Sequence, residues 1–175
     1  MEACQPSKPS WRRLAESDID SLMSVAEQVH PDLPESAHVF TERIKLFPQG
    51  CLALVDEHDR LCGYAISHPI RKGQPPALDT LLEELPSDEQ EQQYYYIHDV
   101  AILSRVRGRG LAAECVKQLL EAAKSYEITC LISVYGTESF WSRFGFVPGP
   151  VGDRTAEKLR VYGEDAKYLV RSNRQ

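Results

Sequence analysis

The hydrophobic pattern is clearest near the middle of the chain, at residues 94–123. Residues 97–103 are mostly apolar or β-favouring, which predicts a strand that is buried on both faces. The arginine- and glycine-rich residues 107–110 predict a turn. From Leu111 onward, apolar residues recur at every fourth position in two adjacent rows, which predicts an amphipathic helix. The other predicted elements are arranged around this strand–turn–helix unit.

The pattern before this unit predicts three strands and two helices. They are a short strand at residues 11–15, helices at 18–29 and 35–47, and the two strands of a hairpin at 51–56 and 61–68. Residues 1–10 are polar and contain two prolines, so we expect a loose N-terminal tail. Residues 11–171 are then expected to form a single domain.

The pattern after the unit predicts fewer elements. They are a strand at residues 128–135, a short helix at 136–144, a proline- and glycine-rich loop at 147–152, and one or two final strands within 158–170. Between the hairpin and the unit lies an insertion at residues 69–93, in which a short helix is predicted at 78–85. The insertion carries acids with no basic residue between them, namely Glu83, Glu84, Asp88, Glu89 and Glu91. It is either a solvated connector or a lid over a binding site.

The composition narrows the classes of protein to which the chain can belong. A chain of 175 residues is large enough for one domain with its own core. The net charge of −6 argues against a general nucleic-acid surface, and no apolar run approaches the length of a membrane span. Most of the five cysteines lie within apolar patterns and none forms a Cys-x-x-Cys pair, so we expect reduced thiols and a cytoplasmic protein. The five histidines show no metal-ligand spacing, so no metal site is predicted.

The turn at residues 107–110 has the chemistry of a phosphate-binding loop. Its glycines leave backbone N–H groups uncovered at the helix N-terminus, and Arg105, Arg107 and Arg109 add positive charge. Such an array is large enough for a pyrophosphate. Two known phosphate loops do not fit, because the sequence lacks the Gly-Lys-Ser/Thr ending of a Walker loop and the third glycine of a dinucleotide fingerprint. A plain strand–turn–helix with solvated arginines stays open as an alternative.

Two sequence blocks resemble the GNAT superfamily of N-acetyltransferases. Residues 107–112, Arg-Gly-Arg-Gly-Leu-Ala, resemble the family's acyl-CoA signature, Arg/Gln-x-x-Gly-x-Gly/Ala. Residues 140–146, Phe-Trp-Ser-Arg-Phe-Gly-Phe, resemble its Phe-Tyr-x-x-x-Gly-Phe block. The predicted order of elements, β-α-α-β-β-β-α-β-α-β, is also that of the GNAT fold. The resemblance therefore implies a mixed α/β fold in which helices flank a central, mostly antiparallel sheet.

This resemblance implies a transferase that moves an acetyl group from acetyl-CoA to a primary amine by direct attack in a ternary complex. The nucleotide end of acetyl-CoA is expected on the backbone of the signature and the first helical turn, at Arg107, Gly108, Arg109, Gly110, Leu111, Ala112 and Ala113. Its pantetheine arm is expected to pair with Val100, Ala101 and Ile102. A backbone N–H near Val100 or Ala101 would then stabilise the oxyanion, which is worth about 3 kcal/mol per donor.

The same resemblance implies that His98 and Asp99 perform the acid–base chemistry. Tyr96-Ile97-His98 resembles the His-x-His of arylalkylamine N-acetyltransferases, with a tyrosine in place of the first histidine. Because an imidazole suits proton transfer at neutral pH, His98 is expected to be the base or proton relay, and Asp99 to anchor the ammonium or orient His98. Strand alternation places these two side chains on opposite faces unless a bulge intervenes. A hydrogen-bonded core histidine and a buried structural carboxylate are the alternatives.

Trp141 departs from the family pattern, because many members have a tyrosine there that protonates the leaving thiolate. An indole N–H donates hydrogen bonds but supplies no proton at useful pH. Either no acid is needed, or Ser139, Tyr135 or a water replaces it. The third alternative is an acyl-CoA-binding module without catalytic activity. Ser139 and Trp141 are expected beside the cofactor, and Tyr96 and Tyr135 beside the substrate.

The expected partners are acetyl-CoA and an amine acceptor. A small amine is the first expectation for the acceptor, and a protein or peptide amine is the second. We expect a monomer or a homodimer that binds neither nucleic acid nor membrane.

Overall fold

The computed structural model describes residues 7–87 and 92–174. Residues 1–6 of the predicted tail and residues 88–91 of the predicted insertion lie outside the described residues. The described chain begins with specific contacts, since the backbone N–H and the hydroxyl of Ser7 both donate to the carboxylate of Glu57. From there it forms one mixed sheet with helices on both faces.

The strands and helices alternate in a mixed order. They are β1 (Ser10–Arg13), α1 (Ile19–Val29), α2 (Ala37–Leu46), β2 (Cys51–Val55), β3 (Leu61–Arg71), β4 (Gln93–Ile102), α3 (Leu111–Ala122), β5 (Ile128–Ser133), α4 (Glu138–Ser142), β6 (Val147–Pro148), α5 (Asp153–Tyr162) and β7 (Lys167–Ser172). Short 3₁₀ turns lie at Glu16–Asp18, Pro48–Gly50 and Ser104–Val106. The order confirms the predicted strand, two helices, hairpin and strand–turn–helix unit, and it adds β6 and α5 near the C-terminus.

The described strands form one sheet in the order β1-β2-β3-β4-β5-β7-β6. Neighbouring strands pair antiparallel except β4 and β5, which pair in parallel. Helices α1 and α2 cover one face, where Phe40 and Tyr64 belong to one buried cluster. Helix α3 covers the other face, where Cys115 and Leu119 cluster with Ile97. The predicted mixed α/β fold with a mostly antiparallel sheet is confirmed.

Strand β4 carries a bulge at His98. In the ladder with β3, Ile66 pairs with Asp99 and Ser67 pairs with Ile97, so His98 is an extra residue between two paired ones. A bulge interrupts the strict alternation of side chains along a strand. As a result, the side chains of His98 and Asp99 both bond to the segment that joins α1 to α2. The bulge is the exception that the sequence analysis allowed, and the opposite placement that regular alternation predicts does not apply to these two side chains.

Strands β4 and β5 diverge after a short contact. Their ladder ends with the pair of Ile97 and Leu131. Beyond that pair, β4 continues to Ile102 and β5 continues to Ser133, but the two strands no longer pair with each other. An opening therefore forms within the sheet, between two strands that are neighbours at their other ends.

The predicted helix at residues 78–85 is wrong, since no helix lies between β3 and β4 in the described residues. Asp79 and Glu83 have φ angles of 54° and 65°, which a right-handed helix excludes. The backbone N–H groups of Leu82 and Glu83 donate to the carboxylate of Glu42 in α2, rather than to carbonyls one turn earlier. Bonds to a distant helix thus outweigh the local apolar spacing.

The prediction for residues 158–170 is correct for β7 but misses α5, which occupies the start of this stretch. Helix α5 is polar along most of its length, and its buried residues are Thr155 and Tyr162. Their separation of two helical turns is typical of one helix face. The charged residues between them hide this spacing in the sequence.

The described cysteines are Cys51, Cys62, Cys115 and Cys130, and all four are buried and free of disulfide bonds. Burial raises the pKa of Cys51 and of Cys130 to about 12, so these thiols stay protonated at neutral pH. Among the described helices, none has both the length and the apolar character that crossing a bilayer requires.

Gly50 is a position where any side chain would collide with β3. A Cβ placed there would lie 2.1 Å from the carbonyl oxygen of Ser67 and 2.7 Å from the ring of Phe47. We expect Gly50→Ala to lower the free energy of unfolding by about 1–3 kcal/mol through overpacking. Chemical denaturation followed by circular dichroism measures this loss. Gly152→Ala is the control, because no heavy atom lies within 4 Å of a Cβ there. An equal loss in both variants would contradict the prediction.

Candidate active site

A cleft of about 1310 Å³ opens where β4 and β5 diverge. Its walls come from the segment joining α1 to α2, from β4 beyond Ile97, from the turn before α3, and from the segment between β5 and α4. Carboxylates, histidines and tyrosines line one region of the cleft, and the N-terminus of α3 lines another. The divergence of the two strands therefore gathers residues that are far apart in the sequence.

The N-terminus of α3 lies at the cleft. Gly108 and Gly110 have φ angles of 79° and 75°, a left-handed conformation that glycine adopts without strain. Gly110 is the N-cap of the helix, and no side chain among the described residues caps it. The first N–H groups of the helix, at residues 111–113, are left to bind an anion, and these residues line the cleft.

Positive charge at the cleft comes from Arg107 and Arg143. The Nε of Arg107 donates to the carbonyl of Ile102 at 2.8 Å, which fixes the side chain across the end of β4. The guanidinium of Arg143 lies 5.2 Å from the centre of the Phe140 ring, within range of a cation–π contact. Arg109, which the sequence places beside the cofactor, is exposed and does not line the cleft.

The last residues of β4, beyond Asp99, alternate between the cleft and the core. Val100 and Ile102 line the cleft, whereas Ala101 is buried in the cluster under α1 and α2. Because β5 has already separated here, the edge of β4 that faces it carries no ladder. An extended ligand that hydrogen-bonds as a strand does would fit this edge.

His30 and Asp99 form a pair at the cleft. The Nε2 of His30 lies 2.8 Å from Oδ1 of Asp99, and the hydroxyl of Tyr64 donates to Oδ2 at 2.6 Å. The His30 ring stacks on Tyr135 at a centroid distance of 5.6 Å, and its Nδ1 lies 3.3 Å from the Tyr135 hydroxyl. The side chains of His30 and Asp99 are 13% and 12% exposed, so both remain in contact with the cleft.

The two members of this pair shift each other's titration. Burial lowers the pKa of His30, but the neighbouring carboxylates of Asp99 and Glu35 together outweigh burial, so the pKa is raised overall. Burial likewise raises the pKa of Asp99, but the charge and hydrogen bond of His30 and the bond from Tyr64 lower it overall. Burial and Asp99 also raise the pKa of Tyr64 well above its usual value. At neutral pH the site therefore holds an ionised carboxylate, a protonated phenol and a histidine with increased proton affinity.

His98 and Glu35 form a second histidine–carboxylate pair, deeper than the first. The His98 Nε2 lies 2.7 Å from Oε1 of Glu35, and their side chains are 1% and 6% exposed. The other oxygen of Glu35 accepts the backbone N–H of Asp79 at 3.0 Å. Both side chains line the cleft. This pair depends on the bulge, which turns His98 toward the segment between α1 and α2.

The remaining residues that the sequence predicts at the site are not all brought together. Trp141 lines the cleft and is 8% exposed, with its ring edge-on to Phe146 at 5.6 Å. Tyr135 also lines the cleft and is half exposed. Tyr96 is fully buried behind His98, at a ring distance of 5.9 Å. Ser139 is exposed on α4 and does not line the cleft.

His30, Glu35, Tyr64 and Arg143 are the site residues that sequence reasoning misses. The partners of His30 and Glu35 lie 69 and 63 positions further along the chain, so no local spacing reveals them. The one sequence signal is the break after α1, where His30 precedes Pro31 and a short polar segment. In the described residues, no group of three or more histidine, cysteine or acidic side chains is arranged to hold a metal ion.

Residues 11–146 match the model of a protein family described as the acetyltransferase (GNAT) family. A search of curated protein sequences finds no significant match. Among solved structures, Naa50 of Arabidopsis thaliana in complex with the bisubstrate analogue CoA-Ac-MVNAL superposes with a TM-score of 0.69. The two chains are 13% identical, over 95% of this chain and 99% of Naa50.

Two other solved structures resemble this chain to about the same degree. The GphF GNAT-like decarboxylase in complex with isobutyryl-CoA gives a TM-score of 0.72 at 16% identity, over 94% of this chain and 100% of its own. Naa20 of Chaetomium thermophilum in complex with a bisubstrate analogue gives 0.66 at 17% identity, over 93% and 86% of the two chains. At such identities the likeness shows a shared fold.

The titration of His30 tests the pairing with Asp99. Asp99→Asn removes the charge that raises the pKa of His30 while leaving the imidazole buried, so we expect this pKa to fall. NMR titration of the imidazole Cε1–H signals measures the change. Asp32→Asn is the control, because Asp32 lines the cleft but is not a hydrogen-bond partner of His30 in the described residues. A pKa of His30 that is unchanged in Asp99→Asn would contradict the prediction.

Proposed function

The chain belongs to the acetyltransferase (GNAT) family, and we propose that it transfers an acetyl group from acetyl-CoA to a small primary amine. One observation carries the proposal. A single cleft joins the uncapped N-terminus of α3 to a region lined by Asp99, His30 and Tyr135. The first region suits the phosphates of a nucleotide and the second suits an amine that must lose a proton.

The fit to acetyl-CoA rests on the α3 turn and on β4. The backbone N–H groups at residues 111–113 would hold the pyrophosphate, with Arg107 beside them. The pantetheine arm would pair with the free edge of β4 at residues 100–102. A backbone N–H at Val100 or Ala101 would then face the thioester carbonyl, where it stabilises the developing negative charge.

His30 is the preferred base of this proposal. If its Nε2–H donates to Asp99, the lone pair of Nδ1 is free to accept a proton near the Tyr135 hydroxyl. The amine nitrogen attacks the carbonyl carbon, the C–N bond forms as the C–S bond breaks, and the proton lost by the amine passes to His30. His98, which the sequence predicts as the base, is the other candidate, but its side chain lies deeper and is already bonded to Glu35.

The enclosure of the second region supports a small acceptor. Leu78 lines the cleft, and the segment around it is bonded to the chain on the other side. The carboxylate of Asp79 accepts both the N–H and the hydroxyl of Ser36, and Arg43 donates to the carbonyl of Thr80 at 3.0 Å. These bonds to Ser36 and Arg43 support the lid over the connector, and a lid over the acceptor region would favour a small acceptor.

Charge supports a cationic acceptor. The carboxylates that line the cleft are Glu27, Asp32, Glu35 and Asp99, and the lining arginines are Arg107 and Arg143. A peptide N-terminus is the second candidate acceptor, since the analogue bound to Naa50 carries the peptide MVNAL. Trp141 favours a third candidate, an acyl-CoA-binding module without catalytic activity, because an indole supplies no proton to a leaving thiolate.

The glycine turn can be tested by binding alone. Gly110→Ala forces a non-glycine residue into a left-handed conformation at the helix N-terminus, so we expect its Kd for acetyl-CoA to rise about tenfold or more. Isothermal titration calorimetry measures this change. Gly73→Ala is the matched control, since Gly73 has a φ of 65° and equally open surroundings but does not line the cleft. Wild-type affinity in Gly110→Ala would refute the assignment of the turn.

Turnover is measured as free-thiol release from acetyl-CoA, with polyamines, arylalkylamines, amino acids and basic peptides as acceptors. We expect amine-dependent release, and we expect kcat/KM to rise with pH through the raised pKa of His30, because the base must be neutral. His30→Gln should lower kcat by about 100-fold. His98→Gln should mainly raise the KM for the amine.

Each alternative has its own outcome in this assay. Loss of kcat in His98→Gln with wild-type kcat in His30→Gln would identify His98 as the base. Acetyl-CoA binding without thiol release for any acceptor would favour the module that lacks catalytic activity. Release with peptides but not with small amines would make the peptide N-terminus the acceptor.

A further inference from the structure

Four buried side chains behind the cleft each have a polar atom that no described residue outside this group of four satisfies. The atoms are His68 Nε2, Tyr96 OH, His98 Nδ1 and Tyr162 OH, and we call this group the recess. All four residues are at least nine-tenths buried. These residues lie close together, since the centroids of the His68, Tyr96 and His98 rings are 5.6–6.2 Å apart. The hydroxyls of Tyr96 and Tyr162 are close enough to interact with each other, and this interaction adds to the effect of burial, which raises the pKa of Tyr96.

The recess opens into the cleft, because His98 and Tyr162 line both. A buried polar atom without a partner is costly, and folded proteins rarely retain one without a reason. The gathering of these atoms behind a ligand cleft, with His98 and Tyr162 on its wall, therefore indicates that the recess is built to contact a polar ligand.

The two histidines of the recess present lone pairs rather than N–H groups. The Nδ1 of His68 lies 3.1 Å from the carbonyl oxygen of Pro69, which can only accept, so the proton is on Nδ1 and Nε2 is free to accept. Burial and the nearby His98 lower the pKa of His68 to about 3, so the ring is neutral. When the His98 ring is neutral, its Nε2–H donates to the Glu35 carboxylate and its Nδ1 is an acceptor as well. A ligand that donates hydrogen bonds fits these two acceptors.

The charges around the recess select the kind of donor. Glu35 and Asp99 are the carboxylates beside it, and both contribute to the raised pKa of Tyr162. Arg43 is also near. Two nitrogens of its guanidinium are bonded to Glu42 at 2.8 Å and to the carbonyl of Thr80, and its Nε has no partner among the described residues. The rings of Tyr96 and Tyr162 add π-faces, which attract cations. A cationic donor, an ammonium group, fits this combination better than a neutral hydroxyl.

We propose that the recess binds a second ammonium group of the acceptor, so that the preferred acceptors are aliphatic diamines rather than monoamines. The reacting amine would lie at His30 and Asp99, while the distal ammonium would contact Glu35, His98 and Tyr162. This inference rests on the proposed function, because it names the acceptor for the same cleft.

A matched series of acceptors tests the proposal. Cadaverine, 5-amino-1-pentanol and pentylamine share one chain length and differ at the far end, which bears an ammonium, a hydroxyl or a methyl group. The same comparison is made with the three- and four-carbon homologues. We expect kcat/KM for the best diamine to exceed that of its monoamine at least about tenfold, with the amino alcohol between them.

Two variants locate the preference in the recess. Tyr162→Phe and Glu35→Gln should each reduce the ratio of diamine to monoamine kcat/KM to about threefold or less. Tyr168→Phe is the matched control, because Tyr168 in β7 is also a buried phenol but lies outside the cleft. Its ratio should equal that of the wild type. Thermal melting tests whether each variant is folded. If Tyr162→Phe is not folded, the ratio measured for Glu35→Gln decides the test.

Binding separates this inference from the proposed function. Calorimetry with each amine in the presence of CoA needs no turnover, and it should give a lower Kd for the diamine than for the monoamine. Equal Kd values at every chain length would overturn the inference even if both amines are acetylated. An amino alcohol that matches its diamine would overturn it as well, because charge would then be irrelevant. A preference in binding with no thiol release for any amine would support the recess and refute the transferase.

Discussion

The site depends on one extra residue in β4. In a regular strand, two consecutive side chains point to opposite faces, so either His98 or Asp99 would lie against α3. The bulge at His98 removes this constraint, and both side chains bond to the segment between α1 and α2. Immediately before the bulge, at Ile97, β4 makes its last pair with β5. The loss of pairing and the change of side-chain direction therefore fall at the same point, which places acid–base groups where the sheet opens.

The pairing of His30 with Asp99 links the stability of the fold to the protonation state of His30. The pKa of Asp99 is lower in the folded protein than in the unfolded chain. The ionised carboxylate therefore stabilises the fold above the unfolded-state pKa, and this stabilisation is lost as pH falls through the folded-state pKa. The pKa of His30 is higher in the folded protein than in the unfolded chain. The protonated imidazole therefore stabilises the fold below the unfolded-state pKa, and this stabilisation is lost as pH rises through the folded-state pKa. The stabilising form of His30 is thus protonated, whereas the proposed base is neutral. A pH that favours catalysis is one at which this pair no longer stabilises the fold fully.

Local spacing predicts most of the elements but only part of the site. The strand and helix around the glycine turn follow from residues 97–103 and from the four-residue rows after Leu111, because both patterns are short-range. His30 cannot be found in this way, since its partner lies 69 positions away. The same holds for residues 78–85, whose backbone bonds to Glu42 replace the helix that their spacing predicts. The features that local spacing does not predict depend on contacts between distant segments. The bulge in β4 makes the contacts at the site possible.

In the proposed reaction, the proton that Trp141 cannot supply can come from another element. Its ring packs edge-on against Phe140 and Phe146, so it acts as a core side chain with one edge at the cleft. Tyr135 has a hydroxyl within 3.3 Å of His30 Nδ1, and partial burial with the charges of Asp32 and Asp99 raises its pKa. The phenol is therefore protonated at neutral pH. In the proposed reaction, a proton taken from the amine by His30 can return to the leaving thiolate through this hydroxyl. One connected set, Asp99, His30 and Tyr135, would then serve both proton transfers, which leaves the indole at residue 141 free to serve packing alone.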